Sequence, residues 1–224
     1  MVQGSWQVAP KSWWWIGMRY VYAEVEPTLR DDPAFPGLVN AIRFKVSAPT
    51  AILEFDSRDN VFTPTRGVYA ETSYLVSRQQ FGSTEDFERF QQVLMGWHPL
   101  ARNVTLGGRA NYAKSSGETP FLLRPFVQLR GVPALRWQGD EVTSAEVEGR
   151  WQFYGRWSAV AFAGAGRTQT SRAGFSTHDD VTSGGVGFRY ELARKFGLHA
   201  GVDVAHSAGT TGVYFQIGNA WFRP

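Results

Sequence analysis

The chain has 224 residues, with 23 Lys and Arg against 20 Asp and Glu, a net charge of +3 and no cysteine. Charged residues are only 19% and aromatic residues 15%; mean hydropathy is −0.28, and no window approaches the roughly 18 apolar residues of a membrane helix, which excludes a helical membrane protein. The lack of cysteine excludes disulfides and thiolate metal sites, and basic residues scattered without a Lys/Arg run argue against a nucleic-acid partner.

Met1 to Trp6 carries neither a basic n-region nor an apolar h-region, so the start is not a signal peptide. Residues 1–12 are expected to be a lead-in. A first strand is predicted over 13–25, opening with Trp13-Trp14-Trp15 and alternating through Met18, Tyr20 and Tyr22. A long link with Pro27, Pro33, Pro36 and Gly37 leads to a second strand within 40–56, interrupted by Pro49. Residues 56–67 form a compact turn, followed by strands at 68–77, 87–97 and 103–113, the last two joined by a short turn at 98–102. A long loop spans 114–140. Strands at 141–153, 157–167, 184–193, 197–206 and 212–222 complete about ten.

The later segments show the pattern most clearly. Val186, Phe188, Tyr190 and Leu192 alternate with Gly187, Arg189, Glu191 and Ala193; Leu198, Ala200, Val202 and Val204 alternate with His199, Gly201, Asp203 and Ala205. Side chains of a strand alternate between faces, so each segment has one apolar face and one small or polar face. Segments of about 9–11 residues joined by alternately short and long links mark an antiparallel transmembrane β-barrel. The fold class is therefore all-β, with residues 13–224 as the barrel domain and, the strand number being even, both ends on the short-turn side. A soluble sandwich or lipocalin-like barrel also alternates. Against it stand the strand lengths, Trp13, Trp97, Trp151, Trp157 and Trp221 near strand ends as an interfacial girdle, and inner faces rich in charge and glycine.

Several motifs carry a family resemblance. Asp56-Ser57-Arg58-Asp59-Asn60 followed by Pro64-Thr65-Arg66-Gly67 resembles the periplasmic turn of the BamA/TamA outer-membrane insertase superfamily, also called the bacterial surface antigen family. Leu129-Arg130-Gly131-Val132 resembles that superfamily's inward-folded loop motif. The segment from Gly184 to Tyr190, the strand from Leu198 to Ala205, and the closing Ile217-Gly218-Asn219-Ala220-Trp221-Phe222, with Trp221 and Phe222 as the C-terminal strand signal, resemble its last three strands. The likeness runs from about Trp13 to the end.

The resemblance implies a sixteen-strand barrel, preceded in many members by POTRA domains. Five predicted strands follow the loop here, as in the family, and about five precede it where the family has eleven. The chain is thus expected to be the C-terminal portion of a longer barrel protein, with Met1 inside it; removal of a signal peptide and a self-contained ten-strand barrel are the alternatives. The implied location is the bacterial outer membrane. The implied role is insertion of β-barrels or passage of a polypeptide, with outer-membrane lipid, unfolded barrel or secreted clients, and periplasmic domains or lipoproteins as partners. The weakly paired seam of such barrels offers a strand edge to a client. Two other roles stay open: a passive pore or solute transporter, and a membrane anchor for an N-terminal patatin-like enzyme domain.

No enzyme activity or cofactor is expected. Asp203, His206 and Ser207 are close in sequence, but Asp203 and His206 have opposite parity, and no nucleophile elbow is present. Asp56 and Asp59 are expected to bond their own turn, neutralised by Arg58 or Arg66, rather than bind metal. His98, His178, His199 and His206 lack ligand spacing. Gly107, Gly108, Gly164, Gly166, Gly184, Gly185, Gly187 and Gly201 either leave room for a loop in the lumen or relieve curvature.

Three placements follow. Val186, Phe188, Tyr190, Val202, Val204, Val213 and Phe215 should face outward, and Arg189, Glu191, His199 and Asp203 inward. The apolar loop, with Pro120-Phe121-Leu122-Leu123 and Phe126-Val127, should return toward the lumen. Arg130 should pair with Glu148, which parity sets inward together with Glu146 and Arg150. The family's second wall carboxylate is usually an Asp in a Phe-x-Asp-x-Gly strand. Here that stretch is Phe162-Ala163-Gly164-Ala165-Gly166, so the anchor should weaken or shift wholly onto Glu148 or Glu146.

Overall fold

A computed structural model describes residues 1–25, 44–172 and 175–221 of the chain. Eleven strands form one antiparallel sheet in which each pairs with its neighbours in sequence. They are β1 (Val2–Gln7), β2 (Trp14–Val25), β3 (Phe44–Asp56), β4 (Gly67–Ser77), β5 (Phe87–Ala101), β6 (Val104–Gly117), β7 (Glu141–Tyr154), β8 (Trp157–Arg172), β9 (Phe175–Ala193), β10 (Leu198–Ser207) and β11 (Thr210–Ile217). The sheet curls into a β-barrel. Asn60, between β3 and β4, donates across the mouth to the Phe196 carbonyl between β9 and β10, 136 residues away. Among the described residues, β1 and β11 do not pair with each other, so the sheet is not closed.

Three sequence expectations are corrected here. Residues 2–7, taken as lead-in, form β1, running from Val2 opposite Tyr20 to Gln7 opposite Trp15. Eleven strands are an odd number, so β1 begins at the long-loop end and β11 finishes at the short-turn end. Finally, several strands extend beyond the predicted limits: β5 reaches Ala101 across the expected 98–102 turn, and β6 and β9 gain mostly polar stretches. Lys114-Ser115-Ser116-Gly117 belongs to β6, which shortens the long loop to 118–140, and residues 175–183 belong to β9. Such hairpin ends carry too few apolar residues for periodicity to find them.

Pro49 is accommodated inside β3, opposite Tyr20. The link with Pro27, Pro33, Pro36 and Gly37, positions 40–43 of the predicted second strand, and Phe222 lie outside the described residues.

The faces divide as alternation requires. Val186, Phe188, Val202, Val204, Val213 and Phe215 are exposed on the outer surface, with Phe215 at 85%, and Tyr190 is half-exposed. Arg189 and Asp203 are buried in the lumen, and Glu191 and His199 half-buried. At the short-turn end Trp13, Trp151 and Trp157 point outward, with ring contacts Trp14–Phe55, Trp151–Phe153 and Trp157–Tyr190 beside them. Trp97 and Trp221 do not join this belt. Both are buried inside, their rings 6.0 Å apart, against Tyr69, Val93 and Met95.

Candidate functional site

The lumen is filled by the 118–140 loop. An isolated bridge between Phe126 and Gln138, with Val127 N donating to the Trp137 carbonyl, makes a narrow returning finger. Its apolar side chains Val127, Leu129 and Val132 cluster with Val142 of β7 and Val181 of β9. Burying such a face offsets the ordering of a long segment. Glycines on the inner wall make space for it. A Cβ on Gly164 would stand 2.9 Å from Leu129 Cδ2, and one on Gly166 2.6 Å from Val127 Cγ1. Room for the loop is thus a function of these two glycines.

At the tip sits Arg130, with its side chain 6% exposed. Its Nε and Nη2 donate to Glu146 Oε1 at 3.0 and 2.7 Å, and its backbone N donates to Glu146 Oε2 at 3.3 Å. Nη1 lies 2.7 Å from Glu148 Oε2 and donates to Asp203 Oδ2 at 2.9 Å. The guanidinium also covers the Phe162 ring, 3.5 Å from its centroid, a cation–π contact. Gly131 has φ +89°, and an added Cβ would come within 3.1–3.2 Å of Ala205 and His206. Only glycine fits both the left-handed backbone and this approach to β10. Its N–H donates to Tyr214 Oη of β11 at 2.9 Å.

The expected pairing with Glu148 is present, but Glu146 makes more of the contact, and the expectation of an anchor confined to these two is overturned. Asp203, on β10, supplies a third carboxylate and is in turn held by Arg189 Nη1 and Nη2, the latter at 2.8 Å. A Cβ on Gly187, directly opposite Asp203, would overlap that carboxylate. Parity had set both Asp203 and Arg189 inward. What the sequence did not reveal is that β7 and β10, three strands apart, would converge on one guanidinium. Buried charges persist when paired and hydrogen-bonded, and here three carboxylates meet two arginines.

The C-terminal signal also differs from expectation. The chain leaves the sheet at Gly218, φ +83°, so the predicted 212–222 strand stops at Ile217. Asn219 N donates to the Phe62 carbonyl at 2.6 Å. Trp221 enters the lumen, where Nε1 donates to Glu146 Oε1 at 2.6 Å. One carboxylate therefore holds both loop and tail. Gly107 makes room, since a Cβ there would lie 3.1 Å from both the Trp97 and Trp221 rings.

The 57–66 turn bonds itself, as its sequence suggests. Asp56 takes Arg58 through Nε at 2.9 Å and Nη2 at 2.7 Å. Asp59 accepts from Thr65 Oγ1 and from the backbone N of Thr65 and Arg66 at 3.0 and 3.2 Å. Burial alone would raise the Asp59 pKa, but these hydrogen bonds outweigh it and hold the carboxyl below its usual range. Asn60 Oδ1 accepts from Phe62 N and Thr63 N, Pro64 is fully buried, and Gly67 adopts φ +109° over the Ser57 carbonyl. Arg58 lies over the Tyr69 ring, 4.4 Å from its centroid. The turn thereby spans the short-turn mouth. Asp203, His206 and Ser207 are not brought together: Asp203 is in the clasp, His206 Nδ1 is 3.0 Å from Thr211 Oγ1 outside, and Ser207 Oγ donates to the Thr182 carbonyl.

No known protein family's sequence profile matches this chain, and no curated protein matches it by sequence. In three dimensions it is similar to the crystal structure of BamA from Haemophilus ducreyi lacking POTRA domains 1-3, with a TM-score of 0.65 and 13% identity. The match covers 91% of this chain and 50% of that one, so the chain spans half the length of the structure it resembles. At this identity the likeness is one of fold, a BamA-like barrel.

Proposed function

We propose that this barrel sits in a bacterial outer membrane as part of a longer protein and works in assembly of other β-barrels there or in passage of a polypeptide. It carries out no chemical reaction of its own. The observation that carries this reading is the loop clasped inside the lumen and bonded through Gly131–Tyr214 to β11, whose outer edge is unpaired among the described residues. An unpaired strand edge is a template for another strand, and the loop and tail control the posture of this one. The filled lumen favours this role over a passive pore, since the loop occupies its middle and the 57–66 turn its short-turn mouth. The outward apolar belt with its tryptophans supports the membrane location.

The test is reconstitution of the chain in liposomes, with folding of a urea-denatured barrel client and ion conductance measured side by side. Faster client folding that Arg130→Ala removes, with little conductance, is the expected result. Steady conductance without any effect on client folding would establish the pore instead.

A further inference from the structure

A cavity of about 320 Å³ opens at the short-turn mouth beneath the 57–66 turn. Its lining includes two guanidinium side chains, Arg102 and Arg150, and the His199 imidazole. Arg150 arrives from β7 and donates through Nη2 to the Pro64 carbonyl at 3.3 Å. Among the described residues it makes no ion pair. Glu148 and Asp59 act on it only through space, because Glu148 is 2.7 Å from Arg130 and Asp59 accepts from Thr65 and Arg66. The other lining carboxylate, Glu191, lies 3.6 Å from Arg194. On the same wall, Thr63 is 95% buried (5% exposed) and its hydroxyl has no hydrogen-bond partner.

A recessed guanidinium without a carboxylate and a buried hydroxyl without a partner are both unfavourable in isolation. One oxyanion would relieve both. Arginine's planar fork matches phosphate oxygens, and a hydroxyl donates to a third. We propose that this cavity binds a phosphate-like oxyanion, with Arg150 and Thr63 as its principal contacts and Arg102 adding positive charge to the lining. The cavity exceeds a bare phosphate, so the group arrives either as the free anion or as a lipid headgroup. This site is independent of the assembly reading, because it rests on the mouth of the barrel and not on the loop or the strand edge.

The experiment uses the whole chain in neutral maltoside micelles at fixed ionic strength. Its unfolding midpoint is followed against inorganic phosphate and, separately, short-chain phosphatidylglycerol. Ligand binding to the folded state raises the midpoint saturably. Arg150→Gln should abolish the rise or move half-saturation upward by about tenfold or more. Thr63→Val, which removes only the hydroxyl, should shift it in the same direction. Arg167→Gln, far away on the outer end of β8, should respond as the unaltered chain does. A rise with inorganic phosphate supports the free anion, and a rise with phosphatidylglycerol alone supports the headgroup. No saturable rise with either ligand overturns the site, as does a rise that survives Thr63→Val and Arg150→Gln unchanged. Should Arg150→Gln fail to fold, Thr63→Val decides alone.

Discussion

Asp203 accepts Arg130 on one side and Arg189 on the other, so it carries the contact between the loop and β10. Its loss would leave two buried guanidinium groups without their shared carboxylate. Removing one member of a buried pair costs about 3–5 kcal/mol, and Asp203→Asn should approach that in urea unfolding of the detergent-solubilised chain. Glu148, at 13% side-chain exposure and touching only Nη1, should matter less. Equal losses from Asp203→Asn and Glu148→Gln would refute this ranking. A double-mutant cycle of Asp203→Asn with Arg130→Ala should be strongly non-additive, since both act on one cluster. Asp59 gives a pH-dependent counterpart. Its folded pKa is lowered, so its contribution is complete above the ordinary Asp value of about 3.9 and is lost as pH falls through the lowered one. Amide exchange at Thr65 and Arg66 should therefore quicken below about pH 4, and Asp59→Asn should remove that dependence.

The eleven strands divide into stretches that alternate and stretches that do not. β9 illustrates both: residues 186–193 alternate apolar and polar, while its first nine residues, 175–183, are mostly polar, with only Phe175 and Val181 apolar, too sparse for periodicity to register. The alternating part fixes which face meets lipid. Val186→Arg, on the outer face, should destabilise the bilayer-embedded chain by about 2–4 kcal/mol if it lies near the midplane, whereas Gln216→Arg on the inner side of β11 should cost far less. Equal penalties in urea titrations of liposome-reconstituted chains would contradict the assignment of faces. The long loop was legible in part: Val127 of its apolar run is buried in the lumen, whereas Phe121 and Leu122 stay exposed, and burial falls instead on Leu129 and Val132. The loop's hold on Glu148 of β7 was expected, but its contacts with β8, β9, β10 and β11 were not, since those strands are brought together only by the curvature of the sheet.

Strand polarity constrains the whole molecule. In an antiparallel meander of eleven strands the first and last run in the same direction, so a direct seam between β1 and β11 would be parallel. Antiparallel closure needs an odd number of further strands. Cysteines introduced at Trp6 and Phe215 should accordingly fail to crosslink in the isolated chain, and efficient crosslinking would show that the sheet closes on itself. The inward turn at Gly218 adds to this openness by removing the tail from the edge and delivering Trp221 to Glu146.

The sequence by itself determined the all-β class, the succession of strands from Trp14 onward, the outward and inward faces, the self-bonded turn around Asp59, and the entry of Arg130 into the lumen. All but the last follow from parity and short-range hydrogen bonding, which act within a few residues; the entry of Arg130 rested on the resemblance of Leu129-Arg130-Gly131-Val132 to an inward-folded loop motif. Only the tertiary structure decided that Asp203, 73 residues from Arg130, completes the clasp, that Trp97 and Trp221 turn inside rather than join the aromatic belt, and that Val2–Gln7 pairs as a strand. Those outcomes depend on how the sheet curves, because curvature alone brings distant strands to face one another across a lumen, and no local period records it.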